Sequence, residues 1–255
     1  MTLLLTLAIE SLNPLIEKGE HGVLDSPTIS SDQFGLRGVM VDADHLSGWG
    51  IEQYKAFRNA ADKAHCPCLL LRGSRRLDLV GDQEGGRERI GRLAVAANRL
   101  GCNAVAITPK IPDDEEAIDH IVLQLREAMM HVERLDLNLL LQPCEGLTED
   151  PDELIEVIKQ IGGFRIGALP TFSAAAATSD PLEALRKLAP YAGGIVADFP
   201  AGRGKKRVDP VEGLIAVREV GYSNSLALNY VGAGNPIKEI TKVADKMMST
   251  LEDLK

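Results

Sequence analysis

The sequence predicts a single α/β domain, a closed (β/α)8 barrel, and three observations support this fold class. Short apolar runs recur roughly every thirty residues and alternate with longer segments that have apolar residues at three- and four-residue spacing. The short runs are almost continuously apolar, which is typical of parallel strands covered by helices on both faces. The chain has 255 residues, and barrels of this kind usually take about 250 residues. We therefore assign residues 1–255 to one domain.

Eight segments are predicted as strands because each is short, apolar and followed by polar or glycine-containing sequence. Eight such units favour a closed barrel over an open doubly wound sheet. A Gly-x-Gly-x-x-Gly turn, the signature of dinucleotide-binding sheets, does not follow the first segment. The predicted strands are Leu3–Ile9, Gly38–Val41, Cys68–Leu71, Ala104–Thr108, Leu137–Leu141, Arg165–Leu169, Gly194–Ala197 and Leu226–Asn229.

The segments between the strands are predicted as amphipathic helices, and four of them begin with an Asp-Pro or Asn-Pro pair. The Asx side chain can cap free N–H groups, and proline fits the first helical turn. The first unit, between Ile9 and Gly38, is the exception: we expect two short helical turns or a partly irregular path there. The predicted helices are Gly50–His65, Gly86–Leu100, Asp113–Arg134, Asp150–Ile161, Asp180–Tyr191, Asp209–Val220 and Asn235–Leu254.

Composition narrows the classes of partner. A net charge of −9 argues against an extended nucleic-acid or anionic-membrane surface. The apolar start, Met1–Ile9, is too short for a membrane span of about 20 residues. The four cysteines have neither redox nor zinc spacing, so we expect buried core residues in a reducing, cytoplasmic compartment. Assembly into a homo-oligomer is left open.

Polar residues cluster where the predicted strands end. In a barrel of this kind, ligands bind at the carboxyl ends of the strands and in the loops that follow them. The set is mixed in charge and suits a hydroxyl-rich or phosphorylated small molecule better than an apolar one. These residues are Glu10, Asp42, Asp44, His45, Arg72, Thr108, Lys110, Gln142, Glu145, Thr171, Asp198 and Asn229.

The chain has a helix from Asp209, then a Gly221-Tyr222 turn and a buried strand ending at Asn229. With these features most of the chain, most strongly from about Leu137 to Leu254, resembles the xylose isomerase-like TIM barrels, the sugar phosphate isomerase/epimerase group that also includes AP endonuclease family 2. The resemblance implies a carbohydrate isomerase with a divalent cation. In that family, Glu, Asp, His and Glu after strands five to eight bind the cation, and the two glutamates shuttle a proton beside a carbonyl.

This chain departs from the family at the metal-ligand positions, which hold Gln142, Thr171, Asp198 and Asn229. Neutral amides hold a hard divalent ion weakly, and they cannot act as general bases near neutral pH. We therefore expect neither a metal site nor another cofactor, and we expect the metal-assisted proton shuttle to be absent.

Substitute acid/base groups are available at the rim. The candidates are Glu145, Asp198 and Lys110. The simpler alternatives are that Glu145 is a solvated loop charge and that Asp198 pairs with a basic neighbour.

Two further groups are candidates for substrate binding, together with Gln142 and Asn229. Arg203 and Lys205, in the loop after strand seven, could form an anion site with Gly232 and Gly234 after strand eight. The same sequence is also typical of a mobile, solvated loop.

Arg72 opens a basic segment after strand three. It could bind an acidic substrate, or the segment could pair with Asp78, Asp82 and Glu84 nearby.

Two features near the second strand have alternative interpretations. The Asp42-Ala43-Asp44-His45 segment is either a fragment of a metal site or a turn that Asp42 or Asp44 caps. Trp49 either stacks on a sugar or closes the loop. After strand six, Ala174–Thr178 places small residues where the family has an acid and a histidine.

Three functions follow from these observations. The first is a sugar or sugar-phosphate isomerase/epimerase that works without the usual metal. The second is a non-catalytic barrel, a pseudoenzyme that binds a phosphosugar or serves as a scaffold. The third, an AP endonuclease, is disfavoured because a three-metal cluster needs many His and acidic ligands, while the chain has five His, most of them off the rim.

Overall fold

The computed structural model describes residues 3–111, 114–144, 146–199 and 207–254. Over these residues it contains eight strands and ten α-helices, and it confirms the predicted (β/α)8 barrel. The strands are β1 (Leu4–Ala8), β2 (Val39–Asp42), β3 (Cys68–Asp78), β4 (Ala104–Lys110), β5 (Asn138–Leu141), β6 (Ile166–Ala168), β7 (Ile195–Phe199) and β8 (Ser225–Tyr230). The helices are α1 (Asn13–Ile16), α2 (Ser26–Phe34), α3 (Ile51–Lys63), α4 (Gln83–Leu100), α5 (Glu115–Arg134), α6 (Pro151–Ile161), α7 (Phe172–Ala177), α8 (Pro181–Leu188), α9 (Pro210–Glu219) and α10 (Pro236–Asp253).

All strand pairs are parallel, and the strands follow one another around the barrel in chain order. Strands β1 to β6 pair successively, while β8 pairs with both β1 and β7. Two bridges join the remaining edges, Ala168 with Ala192 and Thr171 with Val196. The Val196 N–H also donates to the Pro170 carbonyl at 2.9 Å. The sheet therefore closes on itself and brings all eight carboxyl ends to one rim.

Strand β3 is longer than predicted, because residues 72–78 continue the strand instead of forming a loop. Its pairing with β4 shifts between Gly73 and Arg76 and then continues to Asp78, which lies opposite Lys110. A polar sequence can remain a strand when a neighbouring strand supplies backbone partners. Sequence composition alone could not reveal that partner.

The first unit is irregular, as predicted. Two 3-10 turns, Ile9–Leu12 and Val23–Asp25, accompany the one-turn helix α1. The Ser/Thr/Pro-rich segment that follows forms the regular helix α2, which Gly35 ends with a φ of +64°. Glycine adopts this left-handed conformation at little steric cost.

The four Asx-Pro helix starts are confirmed. The side chains of Asp150, Asp180, Asp209 and Asn235 each accept a backbone N–H from the first turn of their helices. Helix α7 was not among the predicted segments. Thr171 caps it by accepting the Ala174 N–H at 3.0 Å, and the alanine run favours helix.

Two apolar layers hold the barrel together. The larger lies between the sheet and the surrounding helices, and a smaller cluster fills the barrel interior. Cys66, Cys68 and Cys102 are buried free thiols, as expected of core residues, whereas Cys144 is only partly buried. Within the described part of the chain, no helix has both the length and the apolar character needed to cross a bilayer. The interior residues are Ala8, Met40, Leu70, Ala104, Ala106, Leu140, Leu169, Val196 and Ala227.

Candidate functional site

A ring of polar side chains lies directly above the apolar interior, at the carboxyl ends of the strands. Each member follows an interior apolar residue by two positions in the chain, and alternate residues of a strand point to the same side. One residue comes from each of the eight strands or from the turn just after it. This polar ring consists of Glu10, Asp42, Arg72, Thr108, Gln142, Thr171, Asp198 and Asn229.

Arg72 connects two other members of the polar ring. Its Nε donates to Gln142 Oε1 at 2.7 Å, and its terminal nitrogen donates to Glu10 Oε1 at 3.3 Å. The Arg72 and Glu10 side chains are only 15% and 17% exposed. The three residues come from β3, the end of β5 and the turn after β1, and side chains from alternate strands share one layer in a barrel. Arg72 and Glu10 therefore form a partly buried ion pair at the carboxyl ends of the strands.

Glu10 is the ring residue with the most perturbed ionisation. Burial raises its pKa from 4.5 to about 7, nearby Arg72 lowers it, and the Asp42 and Asp198 carboxylates raise it. Its second oxygen, Oε2, is buried and has no hydrogen-bond partner among the described residues. The Glu10 carboxyl group can therefore gain or lose a proton near neutral pH, as a general acid or base must.

Asp198 and Asn229 form a second hydrogen-bonded group on neighbouring strands. The register pairs them directly, and Asn229 Nδ2 donates to Asp198 Oδ1 at 2.8 Å. Ser11, fully buried, accepts the Tyr230 N–H at 2.8 Å, and its one hydroxyl proton can be donated either to Leu228 O at 3.3 Å or to Asn229 Oδ1 at 3.4 Å. The Asn229 side chain therefore lies between Asp198 and Ser11, and among the described residues Asp198 has neutral partners and no basic one.

The second oxygen of Asp198 binds the start of helix α7. It accepts the Ser173 N–H at 3.2 Å and also the Ser173 hydroxyl. Ser173, which directly precedes the Ala174–Thr178 run of small residues, therefore contributes a polar contact to the rim. Ser173 and Ser11 were missed because serine is common in turns, and only the folded chain brings these two to the polar ring.

The acidic segment after β2 forms a turn. Asp42 Oδ1 accepts the Asp44 N–H at 2.9 Å, so the turn-cap interpretation is confirmed. Asp44 forms an ion pair with Arg75 at 2.9 Å on the surface. Burial lowers the pKa of His45, against the opposing effect of Asp42 and Asp44. Burial therefore favours the neutral form of His45.

Trp49 packs into the protein. Its ring centroid lies 5.5 Å from that of Tyr54 and 6.0 Å from that of Phe57. Phe57 is fully buried, so this contact attaches the loop to the core. The loop-closing interpretation of Trp49 accounts for its position.

The other predicted site residues are not members of the polar ring. Lys110 is exposed at the end of β4, opposite Asp78 and two residues beyond Thr108. Gly232 and Gly234 lie in the turn after β8, where the Gly234 N–H donates to the Tyr230 hydroxyl at 2.8 Å. That N–H already has a protein acceptor. The predicted roles of Glu145, Arg203 and Lys205 fall outside the described residues.

Comparison with known proteins assigns the fold to a family. A family model described as "Xylose isomerase-like TIM barrel" matches residues 31–247. The chain belongs to this family. No curated protein matches the chain significantly.

Solved structures share the family's fold over nearly the whole chain. L-ribulose 3-epimerase superposes with a TM-score of 0.79 at 12% identity, covering 99% of this chain and 95% of that chain. D-psicose 3-epimerase with D-tagatose, from Clostridium cellulolyticum H10, gives 0.70 at 13% identity, covering 98% and 97%. The IOLI protein with a binding zinc atom gives 0.66 at 14% identity, covering 98% and 97%. At these identities the likeness shows the fold alone.

The residues present do not fit the divalent cation that the family resemblance implies. Gln142 Oε1 is occupied by a guanidinium, and Asn229 turns its NH2 donor toward Asp198. Thr171 Oγ1 caps α7. Asp198 is the one carboxylate among the four positions. In the described part of the chain, no group of three or more His, Cys, Asp or Glu side chains is placed to hold a metal. A hard cation prefers several anionic oxygen ligands, so this donor set is a poor match.

Replacing Ser11 with alanine should loosen the Asp198–Asn229 group. The change leaves the buried Tyr230 N–H without an acceptor, which costs about 1–3 kcal/mol of folding free energy. Chemical denaturation would measure this loss.

Ser30→Ala is a matched control: Ser30 is also buried but donates to Gly38 O at 3.2 Å. Ser30→Ala should lower stability without changing ligand affinity at the rim. Equal effects of both variants on ligand affinity would contradict the positioning role of Ser11.

Proposed function

We propose that this chain binds a small sugar or sugar phosphate in the polar ring and interconverts its isomers or epimers by proton transfer without a divalent metal. The observation that carries the proposal is Glu10, a buried carboxyl group that titrates near neutral pH beside Arg72. Family membership supports the reaction class, and two structures with the same fold are described as sugar 3-epimerases.

The reaction requires a base, a group that stabilises an oxyanion, and hydrogen-bond acceptors for hydroxyl groups. Ionised Glu10 would remove the proton from the carbon beside the carbonyl and leave an enediolate. In an isomerisation, the same carboxylic acid would return the proton to the former carbonyl carbon, while the hydroxyl proton of the first carbon moves to the former carbonyl oxygen. In an epimerisation, a second group, for which Asp198 is a candidate, would deliver a proton to the opposite face. Arg72 would stabilise the negative charge that develops on the carbonyl oxygen. The Asp42 and Asp198 carboxylates would accept hydrogen bonds from substrate hydroxyls.

The proposal keeps the roles that the sequence predicts for the other candidate residues. Asp198 and Glu145 are candidate partners in proton transfer, while Arg203 and Lys205 are candidates for binding a phosphate group. Lys110 lies beyond the polar ring, so it would reach only a substrate that extends above Thr108. A cytoplasmic location stays a prediction that follows from the cysteines, and homo-oligomerisation stays open.

A non-catalytic sugar-binding barrel is the second candidate. The observation in its favour is that neutral Gln142 and Asn229 stand at the positions where the family resemblance implies two proton-shuttling glutamates. Both residues already have hydrogen-bond partners within the protein. Such a barrel would bind the same ligands and leave their carbon–hydrogen bonds intact.

Solvent exchange separates the two candidates. Protein treated with a chelator is incubated in D2O with ketoses, aldoses and their phosphates, and NMR follows deuterium entering the carbon beside the carbonyl. We expect ligand-dependent thermal stabilisation and exchange that the chelator does not reduce. Stabilisation without exchange would favour the binding barrel. Exchange that the chelator abolishes and Mn²⁺ restores would refute a metal-free mechanism.

A further inference from the structure

Arg72 is the cationic member of the polar ring, and its charge is only partly satisfied by the protein. A guanidinium has five N–H donors; one bonds Gln142 Oε1 and one bonds Glu10 Oε1. Within the described chain, the other three have no hydrogen-bond partner. The side chain is nevertheless 85% buried, since 15% of it is exposed. A largely buried cation with free donors is placed to receive a ligand oxygen.

Gln142 and Glu10 hold the guanidinium in place, and two further acidic residues lie on the same rim. Asp42 lies beside Arg72 in the strand register, and Glu10 pairs with it directly. Asp198, on the other side of the barrel, is close enough to affect the ionisation of Glu10. Glu10 follows β1, Asp42 belongs to β2 and Asp198 to β7, so Arg72 brings a positive charge to a rim that these three acidic residues share.

We infer that the guanidinium of Arg72 is the resident cation of this site: it takes the electrostatic place of a divalent ion and offers its free N–H groups to the carbonyl oxygen of a sugar. Its contact with Gln142 carries this inference, because Gln142 stands at a position where the family resemblance implies a metal ligand. The ligand class rests on the proposed function, whereas the displacement of a metal by Arg72 does not. A planar guanidinium holds its N–H groups in a fixed fork, whereas an ammonium group is a compact charge whose donors rotate freely.

The first experiment tests the displacement with Mn²⁺ alone. Gln142→Glu and Asn229→Asp together add two carboxylates to the ring, and Arg72→Gln is then introduced into that double variant. We expect the double variant to bind Mn²⁺ poorly and the triple variant to bind it about tenfold more tightly or better, because a positive charge within the site repels the ion. Calorimetry or electron paramagnetic resonance measures both affinities.

Equal Mn²⁺ affinity in the double and triple variants, or no binding by either, would overturn the inference. Circular dichroism and thermal unfolding establish that each variant is folded. Arg72→Met removes the same charge with an apolar side chain of similar length, and it replaces Arg72→Gln in the comparison if the first triple variant does not fold.

The second experiment tests sugar recognition in the otherwise native chain. With D-tagatose as the probe, Arg72→Gln should weaken binding about tenfold or more, and Arg72→Lys should lose affinity because it lacks the planar fork. Unchanged affinity in both variants would refute the role of Arg72 in binding the sugar. If the native chain binds no sugar, the proposed function fails, while the Mn²⁺ comparison still decides whether Arg72 is the resident cation.

Discussion

Replacing Glu10 with glutamine should reduce solvent exchange into a bound sugar by about 100-fold or more, because general acid–base catalysis by one group contributes about 10²–10⁴-fold. Glutamine keeps the size of the side chain and can still accept from Arg72, but it cannot carry a proton. Sugar affinity should change far less than the exchange rate. The measurement is deuterium incorporation by NMR at saturating ligand, with the dissociation constant measured in parallel.

Glu17→Gln is the matched control for this change. Glu17 lies on the exposed surface a few residues further along the chain, and its replacement should leave exchange unaltered. An exchange rate in Glu10→Gln equal to that of the native chain would exclude Glu10 as the base. The predicted roles of Glu145 and Asp198 would then be the ones to test.

The raised pKa of Glu10 also predicts that folding stability depends on pH in the absence of ligand. Its folded pKa, about 7, lies above the ordinary 4.5, so the folded state binds more protons than the unfolded state between these values. The stabilisation that protonated Glu10 gives the folded state is fully present below pH 4.5 and is lost as the pH rises through about 7. Relative to Glu10→Gln, the native chain should lose ~3 kcal/mol of unfolding free energy between pH 4.5 and 8.5. A constant difference across this range would contradict the raised pKa.

Replacing Phe172 with alanine should cost about 3–5 kcal/mol of folding free energy, the usual range for a large buried aromatic side chain. Phe172 is 1% exposed, and it begins helix α7 between Thr171 of the polar ring and Ser173, which binds Asp198. Its ring packs against Gly213 on α9, where an added methyl group would overlap it. Loss of the ring should therefore weaken both the fold and the rim contact. Urea denaturation measures the first effect, and sugar affinity measures the second.

Phe164→Ala provides the control, since Phe164 is fully exposed. Its replacement should change stability by no more than about 0.5 kcal/mol. Phe172→Leu keeps much of the buried volume and should fall between the two. A loss below about 1 kcal/mol in Phe172→Ala would mean that the α7–α9 contact contributes little to the fold.

The sequence predicted the fold well because both strands and helices have local signals. Asp150, Asp180, Asp209 and Asn235 cap their helices through contacts with the next few residues, so neighbouring positions suffice to identify them. The extension of β3 to Asp78 and the short helix α7 were missed. The extension of β3 depends on β4, a partner further along the chain, whereas α7 has local signals in the Thr171 cap and the alanine run but is only six residues long.

The candidate site was likewise predictable only where the signal is local in the chain. The positions of the polar ring could be read from the ends of the predicted strands, and the substitution of amides at positions 142 and 229 is a property of the sequence alone. Glu10 was named at the rim but was not selected as a catalytic candidate, because nothing adjacent in the chain marks its ionisation as unusual. Its raised pKa arises from burial and from charges on other strands.

By itself, the sequence determined that this chain builds a parallel barrel and which side chains stand where its strands end, because hydrophobic periodicity and helix caps act over a few residues. The tertiary structure alone decided how those side chains interact: Arg72 with Gln142 and Glu10, and Asn229 with Asp198 and Ser11. The physical reason is that electrostatic and hydrogen-bond energies depend on separation in space and on burial. Closure of the barrel brings together groups such as Ser11 and Asn229, which lie 218 positions apart in the chain.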